Sequence, residues 1–340
     1  MIPAALLAAA VAAPPEFPTP VPTKADEPAA KAFSPAKAAE YLDGVGVGWT
    51  RERQCVTCHT NLPYLLARPH LPGDAGWKEV RKFLETDVAA WSAGKTRAPA
   101  YVVATALGLV ATDAHANGKL APVTRAALDR MWKDQRADGA WNWLKCDWPP
   151  MEHDDYYGAT LGALAAGLAP EDYAKSDAAA AGLAKLRGYL AKTAAPDLHH
   201  RAMLLWASTK LDGLLTADQQ KGVVAELKAA QRADGGWCLP ALGQYKRRDE
   251  MKTPNDPAAP SDGYATGLVV YVLRQAGVPV ADPAVDRGAA WLRTNQRASG
   301  RWFTRSLNTD RAHYITNAGS AFAVLALAAC GEIAGGESGR

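Results

Sequence analysis

The chain has 340 residues, of which 48% are hydrophobic and 21% are charged, and its formal net charge is +3. This length suits one large domain or two small ones, and such a mild positive charge speaks against a nucleic-acid-binding protein. The five cysteines are an odd number and are not spaced like the framework of a small disulfide-rich secreted domain.

The first residues, 1–15, contain an apolar run from Ile2 to Ala13 that is too short to cross a membrane. The run fits an export signal followed by a small-residue cleavage zone, which predicts a periplasmic or otherwise exported bacterial protein. No Lys or Arg precedes it, so a disordered Ala/Pro tail is the alternative. Residues 16–32 are rich in Pro and Ala and are predicted to form a flexible linker. We expect a single domain over 33–332, with no membrane-spanning segment, and a disordered tail over 333–340.

The strongest pattern along the chain is an internal repeat. Three tracts read Gln-x-x-x-Gly-x-Trp, at 135–141, 231–237 and 296–302. Each follows an amphipathic helical pattern and precedes an apolar helix rich in small residues. With three further pairs that lack the full tract, the predicted helix pairs span 35–43 and 59–68, 77–91 and 101–116, 124–135 and 156–167, 178–192 and 197–210, 217–231 and 263–277, and 284–296 and 316–330.

These six helical hairpins predict the fold class. A spacing of roughly 50 residues is typical of repeat architectures, which form either linear solenoids or closed rings. Six repeats, with Ala- and Gly-rich inner helices that can crowd around an axis, favour closure. We therefore predict an all-α (α/α)6 toroid with inner and outer helix rings, and no strands.

The three Gln-x-x-x-Gly-x-Trp tracts resemble the QW motifs of squalene–hopene cyclases and related terpene cyclases. Similar hairpins build the β-subunits of protein prenyltransferases. The resemblance covers residues 33–332 and implies an α/α-toroid, whereas it is far less specific for a reaction. In that family the tracts tie the outer helices together, so the resemblance implies a bracing role for Trp141, Trp237 and Trp302.

A second motif, Cys55-Val-Thr-Cys58-His59, has the C-x-x-C-H pattern of c-type haem attachment. The two thiols can add to the haem vinyl groups, and the adjacent imidazole can bind iron. The alternatives are a chance pattern, a zinc half-site with a fourth ligand elsewhere, or a disulfide between Cys55 and Cys58. Because the motif lies at the turn of the first hairpin, we expect covalent haem c at 55–59, at the mouth of the ring.

Further polar residues fall in the corresponding turns of the other hairpins. If all hairpins run from outer to inner helix, these residues converge at the same mouth: His59, Glu152, His153, Asp154, Asp155, His199, His200, Asp262, Asp310, Arg311 and His313. Helix capping explains the aspartates but not the histidines, five of which lie in these turns. His199 and His200 are the leading candidates for a second axial iron ligand, and His153, His313 and Met151 are the others.

The sequence from Glu152 to Asp155 resembles the Asp-x-Asp-Asp motif of triterpene cyclases. The resemblance implies that Asp154 is a proton donor, with Glu152 and Asp155 beside it. The chain departs from the family in having Glu152 for the first Asp and Tyr156 where Thr is usual. It also has one ring of helices and few inner aromatics to stabilise a cation. A prenyltransferase-like zinc site would need a Cys that the start of the helix at 263 lacks.

The long loop over 239–261 is charged and rich in Pro, and it is either a lid over the mouth or a solvated insertion. As a lid it would contact haem propionates through Lys246, Arg247 or Arg248. Cys146 and Cys238 both follow a QW tract and either pair as a disulfide or remain free.

Three hypotheses for function follow from these motifs. The first is an exported haem c protein in redox work, either electron transfer to a partner protein or an oxidoreductase acting on an apolar ligand. The second is a terpenoid cyclase-like isomerase that uses Asp154. The third is a non-enzymatic module that binds an isoprenoid, another lipid or a protein.

Overall fold

The computed structural model describes residues 16–95, 97–146, 148–245, 247–248 and 255–333. The predicted export signal, Lys246 and residues 334–340 lie outside the described residues. Within the described residues the regular structure is helical, with two 3-10 turns and two isolated β-bridges. The helices are α1 (Pro35–Arg53), α2 (Asn61–Ala67), α3 (Ala75–Ser92), α4 (Pro99–Ala116), α5 (Pro122–Lys133), α6 (Asp155–Leu168), α7 (Asp177–Lys192), α8 (Leu198–Ser208), α9 (Ala217–Ala229), α10 (Leu239–Leu242), α11 (Gly263–Gln275), α12 (Pro283–Asn295) and α13 (Ile315–Ala329).

Six of these helices form a closed inner ring. In order, α2 packs on α4, α4 on α6, α6 on α8, α8 on α11 and α11 on α13, and α13 returns to pack on α2. The preceding helix of each pair (α1, α3, α5, α7, α9 and α12) lies outside this ring. The contact between α13 and α2 confirms the predicted all-α toroid and excludes an open solenoid.

The three QW turns have the same geometry. Each Trp indole donates a hydrogen bond of 2.7 Å to a carbonyl in the preceding outer helix, and the three acceptors are Met131, Leu227 and Leu292. Each Gln amide donates both to the Gly carbonyl of its own tract and to a carbonyl at the next outer helix. The tract therefore satisfies the free end of one outer helix while fastening it to the next.

The third tract closes the ring. Gln296 follows α12, and its side chain both donates to the Ser34 carbonyl at 3.0 Å and accepts from the Ser34 amide at 2.7 Å. Ser34 caps α1, so this pair joins the last outer helix to the first. The backbone at Gly300 approaches α1 so closely that a Cβ there would lie 2.0 Å from the Lys37 carbonyl oxygen.

Residues 16–32, predicted to be a flexible linker, instead lie along the outside of this seam. Arg301 is buried, and its guanidinium binds the Glu27 carboxylate, the carbonyls of Val21 and Pro22, and the Thr23 hydroxyl. A buried guanidinium needs such partners, and the segment supplies them. At the other end Ile333 is buried, one residue beyond the predicted domain.

The first hairpin also differs from its prediction. The sequence predicts that the first helix stops at 43 before a Gly-rich turn, whereas α1 continues without interruption to Arg53. Its glycines lie at close contacts, since a Cβ at Gly46 would lie 2.6 Å from the Tyr64 ring and one at Gly44 would lie 2.4 Å from the Pro18 carbonyl. These glycines permit packing rather than a turn.

Aromatic side chains fill part of the ring interior. Trp206 of α8 and Phe322 of α13 are in ring contact at 6.0 Å although both helices flank α11, which places the contact inside the ring. Tyr264 of α11 packs on Phe322 at 5.4 Å. All three side chains are buried, so the inner helices carry more aromatic surface than the sequence suggested.

None of the described helices combines the length and the apolar character that a membrane-spanning segment requires.

Candidate functional site

The N-terminal ends of the inner helices meet at one end of the ring. His59, just before α2, stacks on Tyr314 at the start of α13 and lies near Glu152 before α6. In the same way His199 of α8 lies between Tyr157 of α6 and Tyr264 of α11. The structure therefore brings part of the predicted set together: His59 lies near Glu152, and His199 lies between residues of the two neighbouring inner helices.

Side chains hold the His59 imidazole on several sides. Its ring stacks on Tyr314 with centroids 5.2 Å apart and meets Trp49 edge-on at 5.0 Å. Its Nδ1 lies 2.8 Å from the Thr60 hydroxyl, which in turn accepts a 3.0 Å hydrogen bond from the Asn317 amide. Burial lowers the pKa of His59 to about 4, so the ring is neutral near pH 7. Nε2 is then the nitrogen left for another partner.

The two thiols of the motif are unpaired and have different surroundings. Cys58 is buried and lies in electrostatic range of Glu152, and burial raises the pKa of its thiol well above the usual range. Cys55 is partly exposed and lies on the side of Arg97 and Tyr101. The expected alternative of a disulfide between Cys55 and Cys58 is not formed.

The donor set at 55–59 fits a c-type haem in chemistry: two free thiols are followed by a neutral imidazole. Metal-binding histidines generally have their second ring nitrogen fixed by a hydrogen bond, as Thr60 does here for Nδ1. The Glu152 carboxylate lies 3.9 Å from the other ring nitrogen, Nε2. The space directly before the imidazole is thus occupied by a side chain, which has to move aside for any larger group.

A second cluster is built around His200, whose side chain is completely buried. Its Nδ1 lies 2.7 Å from Oδ1 of Asp197, and its Nε2 lies 2.9 Å from Oδ2 of Asp154. Burial alone would lower the pKa of His200, but the two carboxylates outweigh it and raise the pKa to about 9. The same pairing lowers the pKa of Asp154 against the opposing effect of burial. At neutral pH the shared proton therefore rests on His200.

The helix starts position these groups. Asp154 caps α6 by accepting from the Tyr157 amide at 3.0 Å, and Asp197 caps α8 by accepting from the His200 amide at 3.0 Å. Such caps fix a carboxylate at the first turn of a helix. The other Asp197 oxygen accepts a 2.6 Å hydrogen bond from the Tyr245 hydroxyl, from the loop that follows α10.

His199 faces the ring interior. Its Nε2 is 2.8 Å from the Tyr264 hydroxyl, and its Nδ1, in a fully buried side chain, has no hydrogen-bond partner. Burial, with the nearby charge of His200, lowers the pKa of His199 to about 3. His199 is thus a neutral residue beside a charged one, although the two are adjacent in sequence.

A cavity of about 550 Å³ opens beside His200. It is lined by His153, Asp154, Pro196, Asp197, Leu198, His200, Arg201, Ala241, Leu242, Gly243, Gln244 and Tyr245. The guanidinium of Arg201 lies 2.7 Å from a carboxylate oxygen of Glu226, which balances its charge. The cavity is mostly polar on the side of the inner helices, so it suits a polar or charged ligand.

The remaining predicted residues have separate surroundings. Asp155 is turned away from Asp154 and lies 2.7 Å from Arg136 of the first QW turn. Burial raises the pKa of Glu152, which faces His59 and not Asp154. His153 is exposed and packs edge-on against Tyr245. His313 accepts a hydrogen bond at Nδ1 from the Ser306 amide.

The described residues of the loop over 239–261, which leave out 246 and 249–254, contact turns at the mouth. Besides Tyr245, which binds Asp197, Arg248 donates to the Cys146 carbonyl at 2.8 Å. Arg247 is buried and lies 3.1 Å from Asp310. The two arginines expected to reach haem propionates are therefore engaged with the neighbouring turns. Cys146 is exposed and Cys238 buried, and the two do not pair.

Sequence reasoning missed Asp197, Tyr245 and Asn317. Asp197 stands three residues before His200. At this spacing an N-cap aspartate can also contact the histidine side chain, so the sequence alone could have indicated the pair. Tyr245 and Asn317 reach the site from distant parts of the chain, so only the folded structure shows their role.

Comparison with solved structures finds a glycosidase variant with a TM-score of 0.44 and 13% sequence identity, covering 88% of this chain and 86% of that chain. No family model and no curated protein matches the chain. Any functional assignment must therefore rest on the residues and the geometry of the site.

Proposed function

We propose that the chain is a c-type haem protein that does redox work at the mouth of the toroid. The observation that carries the proposal is the state of His59. Its Nδ1 is fixed through Thr60 and Asn317, so Nε2, which has the Glu152 carboxylate 3.9 Å away, is the nitrogen that could bind iron directly after two unpaired thiols. Haem c, when bound, supplies one-electron redox chemistry.

The chain's own residues would orient and shield the ligand. Trp49 and Tyr314 fix the plane of the imidazole, and burial keeps it neutral, which is the form that binds a metal. Glu152, whose carboxylate lies 3.9 Å from Nε2, would move aside and place its carboxyl beside the new group. The three QW tracts on a closed toroid support a relation to terpene cyclases and prenyltransferases as the source of the scaffold. A redox partner protein and an exported location belong to the same proposal.

The proposal is tested by the pyridine haemochrome spectrum of the full chain expressed in a bacterium with haem-attachment machinery. We expect a c-type spectrum that survives denaturation in the original chain and disappears in Cys55→Ala/Cys58→Ala. Cys146→Ala/Cys330→Ala, which alters two cysteines outside the motif, is the matched control and should keep the spectrum. A colourless original chain, or equal haem in the Cys55→Ala/Cys58→Ala variant, would overturn it.

The pair of Asp154 and His200 supports a second proposal, a proton-transfer isomerase of the cyclase kind. Because the pKa of Asp154 is lowered and that of His200 raised, the proton donor would be the pair and not Asp154 alone. Full activity of an Asp154→Asn variant on an isoprenoid substrate would exclude this reaction.

A further inference from the structure

The junction between the outer helices α7 and α9 differs from the junctions that carry a QW tract. After α5, α9 and α12 the Gln amide of the tract donates to a carbonyl at the next outer helix. The residues at 193–197, between α7 and α8, are Thr, Ala, Ala, Pro and Asp, so this turn has no Gln, Gly or Trp. The turns after α1 and α3 lack the tract as well, but there α1 packs directly on α3 and α3 on α5. The α7–α9 junction is joined neither by a tract nor by close packing of its described helices.

A cavity of about 600 Å³, here called the α7–α9 cavity, lies at this junction. Apolar side chains from α7, α8 and α9 and from the turn before α9 form much of its wall, among them Leu190, Leu204, Val223 and Leu215. Pockets of this size and lining bind apolar groups, with a few polar side chains fixing the orientation of the bound group.

A comparison of equivalent glycines indicates what group the α7–α9 cavity fits. The sixth residue of α7, α9 and α12 is a glycine, namely Gly182, Gly222 and Gly288. A Cβ at Gly182 would lie 2.3 Å from the Trp132 ring, and one at Gly288 would lie 2.8 Å from the Trp237 ring. At Gly222, which lines the cavity, a Cβ would have no neighbour within 4 Å. Gly222 thus has the position at which the other two glycines pack against an indole, but no side chain lies against it.

Polar groups at the α7–α9 cavity also match a tryptophan with its backbone. The carbonyls of Met131 and Leu227 accept the QW indoles at the third residue from the end of their helices, and Leu190 has this position in α7. Arg201 lines the cavity, and its side chain is 37% exposed. One guanidinium nitrogen is bound to Glu226 at 2.7 Å, which leaves further N–H groups to donate. Because Glu226 balances the charge of Arg201, a neutral carbonyl suits these donors.

The chain itself does not supply the indole. The positions outside the described residues contain no Trp, Tyr or Phe. All eleven Trp residues are described and are buried or half-buried in the fold, so a second copy of the chain has no exposed indole to insert. The occupant must therefore come from another molecule.

We propose that the α7–α9 cavity binds a tryptophan side chain on an extended segment of a partner protein. The indole lies against Gly222, where its N–H can reach the end of α7, and a backbone carbonyl of the same segment accepts from Arg201. The partner thereby takes the place that a QW tract has at the three braced junctions. This interaction is independent of the proposed haem and of the proposed isomerase site.

The test is a saturation-transfer NMR titration of the full chain with the acetylated and amidated peptide of residues 231–237, which ends in the Trp of a QW tract. We expect saturation of the indole protons in the original chain. Gly222→Leu places a side chain in the cavity and should raise the dissociation constant roughly tenfold or more, as loss of a central interface contact does. Gly188→Leu is the matched control, because Gly188 is an α7 glycine with equally open surroundings that does not line the cavity, and binding should be unchanged.

Two further measurements make the outcome decisive. Thermal melting shows whether Gly222→Leu still folds, and it should melt no lower than the original chain, since Leu replaces an unpacked helical glycine. Free N-acetyltryptophanamide should bind more weakly than the peptide, and equal binding would mean that the cavity takes small aromatic molecules, which would overturn the proposed partner. No saturation of the peptide by the original chain, or binding unchanged in Gly222→Leu, would overturn the proposal as well.

Discussion

Asp87, in the last turns of α3, shows how single charged groups are held in this fold. Its carboxylate is buried and lies 2.6 Å from both Lys95 and Arg97, and it accepts a 3.0 Å hydrogen bond from the Trp91 indole. Burial would raise the pKa of Asp87, but the hydrogen bonds from Arg97 and Lys95 outweigh it and lower the pKa to about 2. The pairing fixes the turn that leads into α4, on the side of Cys55.

This pairing predicts a pH-dependent stability. Because the folded pKa lies below the ordinary value of 3.8, the stabilisation is complete above that value and is lost as the pH falls toward 2. Asp87→Asn should cost about 2 kcal/mol in the free energy of unfolding at pH 7, and the difference from the original chain should shrink at pH 3.

Urea unfolding at the two pH values measures the effect. Asp74→Asn is the control, because Asp74 is exposed and its pairing with Lys78 contributes little at the surface. A loss for Asp87→Asn that is the same at both pH values would contradict the account.

At the residue scale the sequence predicted which side chains reach the mouth better than it predicted their partners. Asp154, His199 and His200 are all found there, because the start of a helix can be located from its capping residue. Their pairing depends on which helices are neighbours in the ring. The sequence motif therefore predicted that Asp155 acts beside Asp154, whereas in the structure Asp155 forms an ion pair with Arg136.

Among the elements, the QW turn combines a glycine at positive φ with a close approach to another helix. Gly300 has φ +93° and approaches the carbonyl of Lys37, whereas Gly94 has φ +96° and would have open space around a Cβ. At both positions the positive φ makes any residue with a side chain unfavourable. At Gly300 a Cβ would also clash with α1, whereas at Gly94 it would not.

We therefore expect Gly94→Ala to cost about 1 kcal/mol in the free energy of unfolding, and Gly300→Ala to cost clearly more. Because the two φ values are nearly equal, the difference between the two losses measures the cost of the steric contact with α1 apart from the cost of the backbone conformation. Chemical denaturation of the two variants measures it. Equal losses would show that the contact with α1 relaxes without cost.

Helix positions were largely predictable, since each observed inner and outer helix lies within a few residues of its predicted range. The exception is α1, where Gly44 and Gly46 were interpreted as a turn. Their role is to let Pro18 and Tyr64 pack against the helix, and such long-range contacts leave no local signal. The short α10 and the docked segment 16–32 were missed for the same reason, since both are held by tertiary contacts.

For the molecule as a whole, closure of the ring has a direct energetic consequence. Gln296 bonds to Ser34 at the seam in the same way as Gln135 bonds to Gly182 within the chain. In a closed toroid the seam is equivalent to any other junction. Gln296→Ala and Gln135→Ala should therefore each lower the free energy of unfolding by roughly 1–3 kcal/mol.

Equilibrium unfolding in urea distinguishes the closed ring from an open array. A terminal junction of an open array frays, so its substitution would leave the main transition unchanged. A Gln296→Ala variant as stable as the original chain, beside a destabilised Gln135→Ala variant, would contradict closure.

The central claim is that this toroid carries covalent haem at its mouth, and the mass of the intact denatured chain tests it most directly. In a bacterium with haem-attachment machinery, we predict a mass that exceeds that of the processed polypeptide by one haem. The excess should be absent from Cys55→Ala/Cys58→Ala. A polypeptide mass without haem, obtained while a co-expressed c-type cytochrome is fully loaded, would contradict the account.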